Sequence, residues 1–266
     1  MINLLFIKDI LILSTIIFVN IFSSQIHASG TEKPQPRRNI FQFNHDHNKW
    51  SQILNQLIID QKSEKINMPS LVSQKENLEK YIYDLQSVVD TEYQGYSKNK
   101  KLAFVINAYN AFTLQALLNS DKPESFIKLN DESKLFIFFK HITATELLAK
   151  YIKRITSDPR VFLSLYCFSA DCPKASIEAF TADKIDDQTE VVTKIFFSDK
   201  RKNYYDAKSK VMILSPVIKK LENEIIRTHG DISSFASKYL FQDQKLKRRA
   251  RMKLIKVRYS SNRSRI

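Results

Sequence analysis

Cys167 and Cys172 are the only thiols in the chain, and they close the stretch Arg160-Val-Phe-Leu-Ser-Leu-Tyr-Cys-Phe-Ser-Ala-Asp-Cys-Pro173. Two thiols this close behind an apolar run fit three chemistries: a nucleophilic thiol, a redox pair or a disulfide staple. Four residues separate them, which is not the Cys-x-x-Cys redox spacing. A thiol nucleophile needs a base and an electropositive setting. His141, at the end of an apolar segment in the same half of the chain, is the best candidate base; the other histidines are His27, His45, His47 and His229. Asn107 and Asn110 stand three apart and so share a helix face. Buried amides need partners, so this face should meet a polar network or a site. In a thiol mechanism they would be the orienting or oxyanion groups. Arg160 joins them as a candidate binding residue. His45 and His47 offer two nitrogens to a metal, but adjacent histidines before a helix also fit a solvent-facing helix start. No histidine pair has zinc-finger spacing, and no metal or cofactor is predicted.

Several classes are excluded. The 266 residues contain three glycines, Gly30, Gly95 and Gly230, so no Gly-rich phosphate cradle and no Gly-x-Ser-x-Gly elbow exists. With 43% apolar and 11% aromatic residues the chain can bury a core.

The elements that must position these residues are read from periodicity and punctuation. Trp50, Ile53, Leu54, Leu57 and Ile58 put one apolar face on a helix from about Asn48 to Asp60. Leu78, Tyr81, Ile82, Leu85 and Val89 do the same from Lys75 to Val89, and Tyr93 to Lys101 is a connector. Residues 100–118 are apolar nearly all round, the mark of a central helix carrying Asn107 and Asn110. Phe126–Leu129 and Leu135–His141 are predicted strands, Thr143–Ile155 a helix, and Val161–Tyr166 a strand leading to the cysteines. Thr181 is a candidate cap for the next helix, and Val211–Leu214 is a strand. Ser215-Pro216 opens a helix that Gly230 ends, Asp231 caps a last helix through Tyr239, and Leu254–Tyr259 is a candidate final strand. Together they predict an α+β fold: a mainly helical single domain with a small sheet in its C-terminal half.

At the N-terminus, Lys8 precedes the apolar run Ile10–Phe22 and a Ser-Ser-Gln-Ile-His-Ala segment ending at Ala28, the form of a secretory signal. Residues 1–28 are therefore read as a signal peptide, with an uncleaved anchor over Leu4–Phe22, interrupted by Lys8 and Asp9, as the alternative, and 29–44 as a Pro-containing linker. The globular domain is 45–244, and 245–266 is a basic tail with a possible final strand. Export predicts a periplasmic or secreted protein, and an oxidising compartment favours a Cys167–Cys172 disulfide. So small a loop gains only about 2 kcal/mol from chain entropy. The net charge of +14 is uneven. Ten Lys or Arg and no acid lie between Gln244 and Ile266, and without them the charge is about +4. Such a tail suits an anionic envelope surface, and it equally fits a solvated terminal segment that raises solubility. Few aromatics interleave with the charges, so nucleic acid is not the expected partner.

Leu102-Ala-Phe-Val-Ile-Asn-Ala-Tyr-Asn-Ala111 resembles the Phe-Trp-Ile-Asn-Ala-Tyr-Asn-Ala helix of the domain-of-unknown-function 547 family. The resemblance runs from Trp50-Ser-Gln-Ile-Leu54 through Asp158–Pro173 and Phe180–Ile185 to Leu214-Ser-Pro-Val217, about residues 45–259 in all. It implies export and a polar site built from Asn-x-x-Asn, histidines and cysteines, but no named activity. Asn107, Asn110, Cys167, Cys172 and Pro173 match the family pattern. Val105 replaces its Trp, Phe162 its His in the cysteine stretch and Tyr166 the following Asn. Thr145-Glu-Leu-Leu-Ala149 lacks the family's other His, and the end of the pattern is reduced to Tyr259-Ser-Ser-Asn262. The expectation is an exported, non-catalytic binding or scaffold protein. The alternative is a thiol-dependent hydrolase or transferase using Cys167 or Cys172 with His141 as base.

Overall fold

The structure is a computed structural model that describes residues 42–57, 66–120, 134–167 and 169–260. The signal segment, most of the linker, the strand at Phe126–Leu129 and the last six residues lie outside the described residues.

The first core is built on one buried helix. In chain order the elements are α1 (Asn48–Gln56), α2 (Met68–Ser73), α3 (Lys75–Gln86), α4 (Asp90–Gly95) and α5 (Lys98–Leu118). Ser97 caps α5 by accepting the Lys100 N–H. Every residue from Leu102 to Leu114 is buried, so no solvent face exists along three turns. Trp50 of α1 stacks on Tyr81 of α3 with ring centroids 5.3 Å apart. Leu78, Ile82 and Leu85 complete the apolar face that α3 brings to the same core. Residues Tyr93–Lys101 are not a plain connector: α4 occupies the first three of them, with Asp90 and Glu92 favourably placed in its positive first turn.

The predicted strand Leu135–His141 is a hairpin. Strand β1 (Lys134–Ile137) pairs antiparallel with β2 (Lys140–Thr143), Leu135 opposite Ile142. Phe138 and Phe139 make the turn with φ of 55° and 56°, the left-handed region normally left to Gly or Asn. Phe138 is held there because its ring is buried against Tyr93, Phe104 and Tyr151. Thr143 and Glu146 then form a reciprocal capping box for α6 (Ala144–Leu147), which widens into a π-helical turn over Leu148–Ile152.

The expected strand Val161–Tyr166 is instead α7 (Pro159–Leu163). Asp158 accepts the Arg160 N–H and Pro159 sits in the first helical position, the same start signal as Ser215-Pro216. Here the cap outweighs the strand preference of a short apolar run. Helix α8 (Ile185–Ser198) begins without Thr181 as its cap; Gln188 on its first turn bonds the Thr181 N–H and the Ala179 carbonyl instead.

The second core surrounds a three-stranded sheet of order β3 (Tyr204–Asp206), β4 (Val211–Leu214), β5 (Lys256–Tyr259). β4 is antiparallel to β3 and parallel to β5. Between β4 and β5 run α9 (Pro216–Lys220), α10 (Glu222–His229), α11 (Ile232–Leu240) and α12 (Gln244–Arg251). Phe196, Phe197, Met212, Leu214, Ile225 and Phe235 are its buried centre. Helices α7 and α8 each contribute to both cores, Val161 and Ile185 to the first and Leu163 and Phe196 to the second. The fold is thus α+β and mainly helical. The basic C-terminal segment is not a loose tail: Ala250 and Ile255 are buried, and β5 is paired along its whole length.

Candidate functional site

Cys167 and Cys172 are bonded to each other, with Cα atoms 6.0 Å apart, and no free cysteine remains among the described residues. The loop they close is anchored from the second core. Lys202, 4% exposed, donates its ammonium to the Cys172 carbonyl at 2.8 Å and pairs with Asp199 at 3.4 Å. Ser215 donates its hydroxyl to the Asp171 carbonyl at 2.7 Å. Ser169 lies 2.9 Å from the Cys172 sulfur and is the donor, since a bonded sulfur carries no proton. Hydrogen bonds and charge from Arg201 hold Asp199 well below the usual carboxylate range, so it stays ionised beside the buried lysine.

The asparagine face of α5 meets backbone. Asn107 donates to the Phe180 carbonyl at 2.8 Å and accepts the Phe180 N–H at 3.0 Å. Asn110 donates to the Ser164 carbonyl at 3.1 Å and accepts the Tyr166 N–H at 2.9 Å. Each amide closes a two-point bridge to an irregular segment, one leading out of α7 to the cysteines and one leading into α8. Tyr166, where the family pattern has Asn, carries its hydroxyl to the Ser176 carbonyl.

Arg160 turns into an ion cluster. It bonds Asp158 at 2.6 Å and Glu190 at 3.2 Å; Glu190 also takes Lys238 at 3.1 Å and the Tyr239 hydroxyl at 3.0 Å. Burial raises the Glu190 carboxyl, but its bonds to Lys238, Tyr239 and Arg160 more than offset this and the net shift is downward. His141 stands on β2, exposed, with its ring against Phe136 at 5.1 Å. Among the described residues it makes no hydrogen bond to either sulfur. The groups of a thiol mechanism are therefore not assembled: the sulfurs are paired, the amides are bridged to backbone and the imidazole is turned to solvent.

The first histidine pair is not solvent-facing as a unit. His47 is 2% exposed, has φ 51° and bonds the Tyr81 hydroxyl through Nδ1 at 2.7 Å. Its Nε2, like Nδ1 of His45, is buried without a hydrogen-bond partner. Burial, then the neighbouring His45, pushes its pKa down to about 3. Among the described residues no three His, Cys, Asp or Glu converge as a metal-binding group.

Sequence reasoning missed a cavity of about 350 Å³ beside the π-turn, lined by residues of α4, α5, β2 and the turn itself. No motif marks it, because its residues come from four elements; the i, i+4 spacing of Lys150 and Arg154 is the only local trace.

The fold and this geometry define a disulfide-stapled, mainly helical α+β domain whose Asn-x-x-Asn helix holds the cysteine loop. Residues 93–197, from α4 through α8, match the family described as "Protein of unknown function, DUF547". The matched segment holds Asn107, Asn110, Arg160 and both cysteines. No curated protein and no solved structure matches the chain.

Two predictions follow from these contacts. Asn107→Ala strands the buried N–H and carbonyl of Phe180, and urea denaturation should show a loss of about 2–4 kcal/mol; a loss under 1 kcal/mol would mean the bridge is dispensable. For His47 the folded pKa lies below the unfolded one, so its contribution is intact above pH 6.5. It falls as the unfolded state alone takes the proton, down to about pH 3. His47→Asn keeps a residue tolerant of φ > 0 and removes the titration. Between pH 6 and 4 its unfolding free energy should fall less steeply than the wild type's by roughly 1 kcal/mol per pH unit; parallel slopes would refute this.

Proposed function

We propose that the protein is an exported, non-catalytic binding member of its family, held against an anionic envelope surface by its C-terminal segment. The observation that carries the non-catalytic reading is the Cys167–Cys172 bond, which leaves neither sulfur as a nucleophile. Phe162 stands where the family pattern places a histidine, and among the described residues no histidine hydrogen-bonds either sulfur.

The docking reading is supported by the surface of α12 and β5. Lys245, Lys247, Arg248, Arg249, Arg251, Lys253, Lys256 and Arg258 are interrupted by no acid, and none of them is in an ion pair among the described residues. Met252 and Leu254, 57% and 54% exposed, stand at the turn between them, where Lys253 adopts φ 58°. Cations flanking exposed apolar side chains fit the interface of an anionic lipid layer better than a soluble polyanion.

Titration of the native protein with a thiol reagent should find no free thiol before reduction and two after it; a reactive thiol in the unreduced protein would revive the nucleophile reading. For docking, substitution is a cleaner test than truncation, because removing residues 245–266 would also strip α12 and β5 from the second core. Arg248→Gln, Arg249→Gln and Arg251→Gln together should weaken binding to vesicles containing phosphatidylglycerol about a hundredfold at low salt, near 1 kcal/mol for each charge. Binding equal to wild type would exclude this surface.

A further inference from the structure

We propose that the cavity bounded by α4, the start of α5, β2 and the π-turn binds a small organic phosphate. Its volume of about 350 Å³ suits a small ligand and exceeds that of a bare ion. Four cations line it, Lys101, Lys140, Lys150 and Arg154, against one carboxylate, Asp90. Lys140 is 3.9 Å from Asp90 and Lys150 is 2.6 Å from Glu146. Lys101 lies over the Tyr93 ring at 5.7 Å, and neither it nor Arg154 has an ion-pair partner among the described residues.

A second observation concerns Tyr93, which also lines the cavity. Tyr93 is 2% exposed, and its hydroxyl is buried with no hydrogen-bond partner. Buried hydroxyls are rarely left so. Burial, Tyr151 and Asp90 all raise its pKa, so it stays a neutral donor. A third lies in the backbone. The Lys153 N–H bonds the Leu148 carbonyl, five residues back, at 2.9 Å. This widened turn carries Lys150 and Tyr151 and sets Arg154 just beyond; π-turns concentrate at functional sites.

The chemistry favours phosphate. Lys101 and Arg154 remain uncompensated once Asp90 and Glu146 are counted against Lys140 and Lys150, an excess that suits a doubly charged anion, and guanidinium with ammonium groups is the usual donor set for a phosphoryl oxygen cluster. Tyr151 and Ile155 leave an apolar wall for the organic part. This site is separate from the α12–β5 surface and does not depend on docking there.

The test is calorimetric titration of the full chain at low ionic strength with glycerol 3-phosphate, with acetate as the singly charged control. Monomeric dioctanoyl phosphatidic acid is the lipid-headgroup arm. Glycerol 3-phosphate should bind at one site and acetate should not. Arg154→Gln and Lys101→Gln should each weaken binding roughly tenfold. Tyr93→Phe should weaken it about fivefold without lowering Tm, since the hydroxyl has no protein partner to lose. Tighter binding of the phosphatidic acid assigns the site to a lipid headgroup and equal binding to a free phosphate ester; either supports the phosphate site. Equal heats for acetate and glycerol 3-phosphate, or unchanged affinity in both cation variants, overturn it. All three variants leave Lys245–Arg258 intact, so a failure here is separable from a failure of docking.

Discussion

A helix buried on every side satisfies its own backbone but not that of the irregular segments crossing it. Helix α5 is in this position, and Asn107 and Asn110 supply what those segments lack. The Phe180 N–H and carbonyl and the Ser164 carbonyl and Tyr166 N–H all terminate on two side chains one helical turn apart. Leaving one such group unpaired in the interior costs about 1–3 kcal/mol. The two bridges together therefore weigh heavily against a stability of about 5–15 kcal/mol. The cysteine loop, the entry to α8 and the joint between the two cores all hang from this face.

The same constraint explains how the disulfide loop is held. Its closure gains little entropy, so placement falls to Lys202 and Ser215, which reach its carbonyls from the other core. A buried ammonium is tolerable there because Asp199 remains charged beside it. The cysteine stretch is thus a junction clamped from both sides.

The positive charge divides between two settings. On α12 and β5 the cations are mostly exposed, and no acid along the segment relieves the repulsion among them. Around the π-turn, fewer cations surround a cavity and a buried hydroxyl. The first arrangement is an exposed basic face; the second is a concave lining of cations and rings.

Much of this was legible in the residues. The all-round apolar pattern of 100–118, the Ser-Pro and Asp231 caps, Val211–Leu214 and the final strand are local signals, and local signals survive into the fold. Val161–Tyr166 failed because Asp158-Pro159 set a helix start that an apolar run of strand length does not reveal. Phe138 and Phe139 in left-handed turn positions were unreadable, since only the burial of Phe138 among Tyr93, Phe104 and Tyr151 offsets their cost. By itself the sequence determined that Asn107 and Asn110 share a buried helix face and that two cysteines stand close enough to join. The tertiary structure alone decided that the amides bind backbone, that His141 is exposed to solvent and that Tyr93, Lys101, Lys150 and Arg154 line one cavity. Periodicity records which side of an element is buried, whereas hydrogen-bond partners and cavities depend on segments that become neighbours only when the chain has packed.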